Sequence, residues 1–181
     1  MIGLLPTTLE VDGVEHRINS DFRVALLIFE AYGDPELSPV NKQLAMLEML
    51  YIDGIPANTD EAQRQAVWFL DIGIDSKFKK KDDVRTMDYA QDEQLLFSAV
   101  NAVATKDVRA EEYLHWWTFY GLCQAISPES LIAHISNIRQ KRGKGEKLEK
   151  HEQKFYAENR HLIDFRTSDD DYDAMVRKLR G

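Results

Sequence analysis

Histidines, the cysteine and clustered acidic residues are the side chains of this sequence with the chemistry to bind a metal or take part in catalysis. A helical metal site usually begins with two histidines four residues apart, and no pair in this sequence has that spacing. We therefore expect no metal site. His115 lies among aromatic residues, and we expect a packed ring whose nitrogens bond to backbone groups. The five histidines are His16, His115, His134, His151 and His161.

The single cysteine, Cys123, is a poor candidate for a nucleophile. It lies within an apolar segment that has helical character, where burial raises the pKa of a thiol and removes access to it. One cysteine also forms no disulfide within the chain, which is typical of a reducing compartment. We expect a structural role for this side chain.

Acidic and glycine-containing segments give no pattern of catalysis or cofactor binding. Glu111 and Glu112 are adjacent, so their carboxylates point in different directions on a helix. The residues from Asp169 to Asp173 lack the glycine and final glutamate of a calcium loop and suit the first turn of a helix. Gly143-Lys144-Gly145 lacks the preceding strand and the spacing of a phosphate loop. The sequence therefore predicts a protein that is not an enzyme, with no catalytic residue and no cofactor.

Charge is distributed unevenly along the 181 residues, which carry a formal net charge of -8. Residues 1–76 contain 4 basic and 13 acidic side chains, whereas residues 77–150 contain 13 basic and 11 acidic ones. The net acidity argues against nucleic acid as a partner, and carboxylates interrupt the basic stretches 77–85 and 139–150. This polarity suits self-association as a homo-oligomer, or a charged protein partner.

Composition and hydropathy indicate a globular chain of the cytoplasm. With 44% hydrophobic and 30% charged residues, the chain can close a core and cover it with a solvated surface. No segment approaches the roughly 20 apolar residues of a membrane span, and the first residues do not resemble a signal peptide. We therefore expect no membrane partner and a cytoplasmic location.

Two alternating runs near the start predict a β-hairpin. Thr8–Val11 and Val14–Ile18 flank Asp12-Gly13, a dipeptide that favours the two-residue turn of a hairpin. A lone hairpin is marginally stable in water. Its apolar side is therefore expected to lie against helices or against a strand of another chain.

The apolar spacing after the hairpin changes to that of helices and predicts about six of them. In the second helix, Val40, Leu44, Leu47 and Tyr51 are expected to face inward. The expected helix starts, each marked by a capping side chain or by a new apolar period, are Asp21, Ser38, Asn58 or Thr59, Asp88, Ala110 and Ser127.

Basic residues and two glycines after residue 139 indicate a boundary near residue 140. The predicted fold is mainly α, with two parts. Residues 1–140 form a compact helical domain with an N-terminal hairpin, and residues 141–181 form a charged helical extension.

The most distinctive segment is Leu114-His115-Trp116-Trp117-Thr118-Phe119, because composition makes two consecutive tryptophans after a histidine improbable. It resembles the Gp15 (gene product fifteen) family of tailed bacteriophages. We expect its residues Leu114, His115, Trp116, Trp117 and Phe119 to lie in the core. Four further segments carry the resemblance, and together with residues 114–119 they are called the signature segments: Leu5-Pro6-Thr7 with Val11-Asp12-Gly13, Ile18 to Arg23, Asp88 to Asp92, and Ile138-Arg139.

The resemblance implies a role in tail assembly. The implied role is that of a cytoplasmic chaperone, which covers the long, helix-rich tape measure protein until tail tube subunits displace the chaperone. Such a protein exposes amphipathic helices before the tube encloses them, and these surfaces aggregate unless they are covered. A small acidic helical protein can cover them by binding a helix in a groove.

A stripe near the predicted boundary is the candidate partner-binding surface. It consists of Leu131, Ile132, Ile135 and Ile138, and its alternative role is the inward face of a last core helix. The alternative function is that of a structural virion component, a minor tail or head-tail joining protein that assembles through its hairpin edge.

Overall fold

The structure is a computed structural model in which residues 3–74 and 84–166 are described. These residues form a two-stranded hairpin and eight α-helices, which confirms the predicted mainly α fold with an N-terminal hairpin. Contacts between residues divide the chain into two units. The first unit comprises Met1–Asp82 and Phe97–Ile126, and the second comprises Asp83–Leu96 and Ser127–Gly181.

The hairpin of the first unit pairs β1 (Thr8–Val11) with β2 (Val14–Arg17) in antiparallel register. Asp12 has φ 51° and Gly13 has φ 78°, so both turn residues are left-handed, as the predicted turn requires. The side chains of Leu9 and Val11 are buried. The hairpin thus presents β1 to the core of its unit.

Three helices follow at the starts that the sequence predicts. They are α1 (Phe22–Gly33), α2 (Pro39–Leu50) and α3 (Thr59–Leu70). The predicted caps Ser38 and Asn58 accept hydrogen bonds from backbone N–H groups of the first turns, and the side chain of Asp21 does the same for α1.

The inward face of α2 differs from the predicted one. Val40 is 70% exposed and Leu44 is 45% exposed, whereas Met46 and Leu50 are buried beside Leu47. Apolar residues follow one another so closely in this helix that its period is ambiguous. Met46 therefore lies on the inward face and Leu44 does not. The hydroxyl of Tyr32 in α1 donates a hydrogen bond to the sulfur of Met46 at 3.6 Å.

Two predicted helix starts are wrong because short turns use the capping residues. Helix α4 (Glu93–Ala104) begins five residues after Asp88, whose carboxylate accepts from the N–H groups of Ala90 and Gln91 in a preceding turn. Helix α6 (Leu131–Gly143) is capped by Ser130, whereas Ser127 accepts from the N–H of Glu129.

A third predicted start, near Ala110, is also wrong. Val108–Ala110 form a single 3₁₀ turn capped by Asp107, and helix α5 (Trp116–Gln124) begins six residues after Ala110. An extended segment precedes α5, because Asp21 and His115 pair in an isolated antiparallel bridge. In this extended segment, the backbone groups therefore form hydrogen bonds with residues near Asp21 and do not form the hydrogen bonds of a helix.

The second unit contains α6, α7 (Lys150–Glu158) and α8 (Arg160–Ile163). The predicted boundary near residue 140 falls inside α6, and a domain of residues 1–140 stays a prediction. Residues 77–83 of the basic stretch and the segment from Asp169 to Asp173 lie outside the described residues. None of the described helices has the length and apolar character that crossing a membrane requires.

Candidate functional site

The ring of His115 joins two distant parts of the first unit. Its Nδ1 accepts a hydrogen bond from the backbone N–H of Trp117 at 3.0 Å, which caps α5. Nδ1 is therefore unprotonated, and Nε2 carries the hydrogen and donates to the carbonyl oxygen of Pro6 at 2.9 Å. The residue is 4% exposed. Both nitrogens thus bond to backbone groups, as the sequence predicts.

The two consecutive tryptophans bond to two consecutive carbonyl groups. The indole N–H of Trp116 donates to the carbonyl oxygen of Leu70 at 3.0 Å, and that of Trp117 donates to the carbonyl oxygen of Phe69 at 2.8 Å. Both carbonyls lie in the last turn of α3, where the regular helical partner four residues later is missing. The tandem tryptophans therefore cap the C-terminus of α3.

The chain leaves α3 through a tight turn beneath these indoles. Ile72 has φ 54° and Gly73 has φ 79°, and the N–H of Gly73 donates to the carbonyl oxygen of Trp68 at 2.9 Å. A Cβ on Gly73 would lie 3.0 Å from the ring of Trp117. Only glycine combines this backbone conformation with such close contact.

The N-terminus of α1 bonds to the segment that precedes α5. Asp21 accepts from its own helix at the N–H of Arg23 and from the N–H of Leu114 at 3.1 Å. The Arg23 guanidinium donates to the carbonyl oxygens of Arg109 and Glu111 at 3.1 and 2.6 Å. These bonds fix the register of two segments that lie about 90 positions apart in the sequence.

The contacts of His115, Asp21 and Arg23 described above are called the first junction. Aromatic packing adds to them. The rings of Phe22 and Phe119 stack with centroids 4.4 Å apart, and both residues are fully buried. Of the five residues expected in the core, His115, Trp116 and Phe119 are buried, whereas Leu114 and Trp117 are partly buried.

A second junction lies within the second unit. The carboxylate of Asp92 accepts two hydrogen bonds from the guanidinium of Arg139, at 2.5 and 3.0 Å. Arg139 also donates to the carbonyl oxygens of Thr86, Leu162 and Ile163. All five N–H groups of the guanidinium therefore have partners, which leaves this arginine no donor for a ligand.

Gln91 strengthens the same junction. Its amide donates to the carbonyl oxygens of Leu162 and Asp164 and accepts from the N–H of Arg166 at 3.0 Å. Arg139 thus bonds to α8, and Gln91 bonds to both α8 and the segment that follows it.

The predicted partner-binding stripe lies on α6. Ile132, Ile135 and Ile138 are buried at 3, 0 and 2% exposure, and Leu131 is 39% exposed. Ile135 and Ile138 pack with Ile163 and with five partly buried side chains, Leu95, Leu148, Phe155, Tyr156 and Leu162. The stripe therefore contributes core packing, and partner binding by these residues stays a prediction.

Cys123 lies in α5, partly buried. Burial raises the pKa of its thiol from 9.0 to about 12, so the reactive thiolate is scarce at neutral pH. Within residues 3–74 and 84–166, no three histidine, cysteine or carboxylate groups lie close enough to hold a metal ion.

A comparison with protein-family models finds a match over most of the chain. The family model described as Bacteriophage Gp15 protein matches residues 1–164. The chain belongs to the bacteriophage Gp15 family. This membership suggests a phage structural or morphogenesis protein. Searches of curated proteins and of solved structures find no significant match to the chain.

The segments that carry the resemblance contribute residues to both junctions. In the first unit, Pro6, Asp21 and His115 come from three separate segments and meet through hydrogen bonds. In the second unit, the segment from Asp88 to Asp92 bonds to Arg139 of the Ile138-Arg139 segment. Residues of these segments therefore take part in contacts that stabilise each unit.

Sequence reasoning missed one exposed surface. Trp68 is 38% exposed on α3 and contacts Trp117 edge to face, with ring centroids 5.5 Å apart. The signal was available, because Trp68 falls outside the inward face formed by Ala62, Ala66 and Phe69.

Proposed function

We propose that this Gp15 protein is a non-enzymatic tail assembly chaperone that binds the tape measure protein in the cytoplasm of the bacterial host. Family membership over residues 1–164 is the observation that carries the proposal. Tape measure helices stay exposed until the tail tube encloses them, and a protein that covers their apolar faces keeps them from aggregating.

The use of the signature residues supports a role without catalysis. Both nitrogens of His115, both tryptophan N–H groups and the whole Arg139 guanidinium bond to groups of the chain itself. Among the described residues, every buried side-chain nitrogen or oxygen has a hydrogen-bond partner. Polar groups that are satisfied in this way stabilise a fold and are poorly placed to react with a substrate.

Co-expression tests the proposal directly. The tape measure protein of the same phage is expressed alone, with this chain, and with an unrelated acidic helical protein of similar size. We expect the soluble fraction of the tape measure protein to rise only with this chain, and the two to co-purify. An unchanged soluble fraction together with no co-purification would contradict a chaperone role.

The hairpin favours a second candidate, a minor tail or head-tail joining protein of the virion. Its two strands form a complete sheet within the described residues, and Val14 beside the turn is 57% exposed. The end of β2 bonds to Ile52 of the same chain, and the rest of a strand edge can accept a strand of another subunit. Mass spectrometry of purified particles separates the two functions, because a structural protein is present in stoichiometric amounts and a chaperone is absent.

A further inference from the structure

The outward face of α2 is apolar along most of the helix. Val40, Leu44 and Met49 are 70, 45 and 38% exposed. Two neighbouring rows of side chains, each with the four-residue spacing of one helix face, form this surface. We call it the α2 face, and its members are Val40, Leu44 and Glu48 in one row and Asn41, Ala45 and Met49 in the other. Exposed apolar side chains that are grouped in this way are typical of a contact surface for another chain.

The α2 face differs in charge from the rest of the first unit. The described residues of that unit, 3–74 and 97–126, contain 15 acidic and 6 basic side chains, whereas α2 contains one of each. Two copies of an acidic unit repel each other where their carboxylates meet. A face without excess charge is therefore the place where a second copy can approach at the lowest electrostatic cost.

The two polar members of the α2 face are Asn41 and Glu48. Within residues 3–74 and 84–166, neither the amide of Asn41 nor the carboxylate of Glu48 has a hydrogen-bond or ion-pair partner. The amide N–H groups are donors and the carboxylate oxygens are acceptors, so the two side chains are complementary. About 10 Å along the helix axis separates them, so they cannot bond within one chain but can bond between two copies.

We propose that the α2 face joins two copies of this chain about a twofold axis that passes between Leu44 and Ala45. In such an interface the two α2 helices run antiparallel, and each residue meets the position equally far on the other side of the axis. Asn41 of each copy then faces Glu48 of the other copy. The two Leu44 side chains pack together, and the small side chain of Ala45 lets the helices approach closely. The proposal does not depend on the proposed function.

Analytical ultracentrifugation of the full chain over a range of concentrations measures the dissociation constant of the dimer. Leu44→Lys places a charge at the centre of the α2 face, and lysine is a good helix former. Leu27→Lys is the matched control, because Leu27 is a leucine of similar exposure, 52%, on α1. Circular dichroism checks that each variant keeps its helices.

We expect wild type to dimerise. Leu44→Lys should raise the dissociation constant by about tenfold or more, and Leu27→Lys should change it by less than about twofold. Raising the salt concentration from about 50 to about 500 mM should strengthen the wild-type dimer, because salt screens the repulsion between the two acidic units.

Three results would overturn the proposal. The first is a chain that stays monomeric at about 100 μM, a concentration at which even a weak dimer is populated. The second is a dimer whose dissociation constant Leu44→Lys leaves unchanged, since another surface would then join the copies. The third is a dimer that salt weakens, since its interface would then depend on attraction between opposite charges.

Ala45→Cys tests the position of the twofold axis. Antiparallel helices that pack about 8–10 Å apart place the two Cα atoms of residue 45 about 5–7 Å apart, which a disulfide can span. Oxidation should therefore link Ala45→Cys into a covalent dimer and leave Leu27→Cys monomeric. Wild type measures the background from Cys123, which is partly buried. A dimer in which Ala45→Cys forms no such link would overturn the twofold arrangement.

A different occupant of the α2 face gives a different result. If the chain is monomeric and Leu44→Lys, but not Leu27→Lys, reduces co-purification with the tape measure protein, the face binds that protein and the proposed dimer is wrong. Dimerisation is measured on the purified chain alone, so failure of the chaperone role does not affect it.

Discussion

Asp92 and Arg139 form a bidentate ion pair in which the two side chains are 1% and 2% exposed. The pair joins the turn before α4 to α6, and Arg139 extends the link to the carbonyl oxygens of Leu162 and Ile163 after α7. Removing either partner leaves a buried charge without compensation, which is much more costly than losing an exposed ion pair.

Asp92→Asn or Arg139→Met should therefore lower the free energy of unfolding by about 3–5 kcal/mol. Urea unfolding followed by circular dichroism measures the effect. Glu158→Gln is the control, because Glu158 pairs with Lys154 at the surface, where the two side chains are 60% and 77% exposed. The control should change stability by less than about 1 kcal/mol. Equal effects for Asp92→Asn and Glu158→Gln would show that the buried pair is not a stabilising junction.

Local signals in the sequence predicted the hairpin, the start of the first helix and the caps of the next two well. The Asp12-Gly13 turn and the caps Asp21, Ser38 and Asn58 depend on neighbours within a few residues, so composition and spacing are sufficient. The same signals failed where another local structure competes for the capping group. Asp88 illustrates this, since its carboxylate forms a turn five residues before α4.

The two junctions could not be predicted from the sequence, because the residues that form them are far apart along the chain. Asp92 and Arg139 are separated by 47 positions, and Pro6 and His115 by 109. Sequence periodicity carries no information about such pairs. The family resemblance drew attention to these segments, but only the structure shows that they contact one another.

His115 offers a test of the first junction. His115→Phe keeps an aromatic ring but removes the bonds to the N–H of Trp117 and to the carbonyl oxygen of Pro6, leaving two partly buried backbone groups without these partners. We expect a loss of about 1–3 kcal/mol in the free energy of unfolding. His115→Asn retains a capping oxygen and should lose about 1 kcal/mol less. Indistinguishable unfolding curves for His115→Phe and wild type would contradict the assigned bonds.

Two glycines of the first unit should respond to alanine in opposite directions. Gly73→Ala places a Cβ 3.0 Å from the ring of Trp117 at φ 79°, and should cost at least about 1 kcal/mol. Gly121 lies inside α5, where an added Cβ would meet no neighbouring atom within 4 Å, so Gly121→Ala should stabilise by about 0.5–1 kcal/mol. Thermal unfolding measures both. Destabilisation by both substitutions would contradict the open space beside Gly121 in α5.

Glu152 makes the stability of the second unit depend on pH. Hydrogen bonds from Lys141 and from the backbone N–H of Glu149 hold the pKa of this carboxyl below its ordinary value of 4.5. A lowered pKa in the folded state stabilises the fold above about pH 4.5, and this contribution disappears as the pH falls through the folded-state pKa. Wild type should therefore be more stable than Glu152→Gln at pH 7, with the difference shrinking below pH 4.5. Lys141→Met removes the main cause, so the pH dependence of the Glu152→Gln effect should diminish in that background. A Glu152→Gln effect of the same size at pH 7 and pH 3 would contradict this coupling.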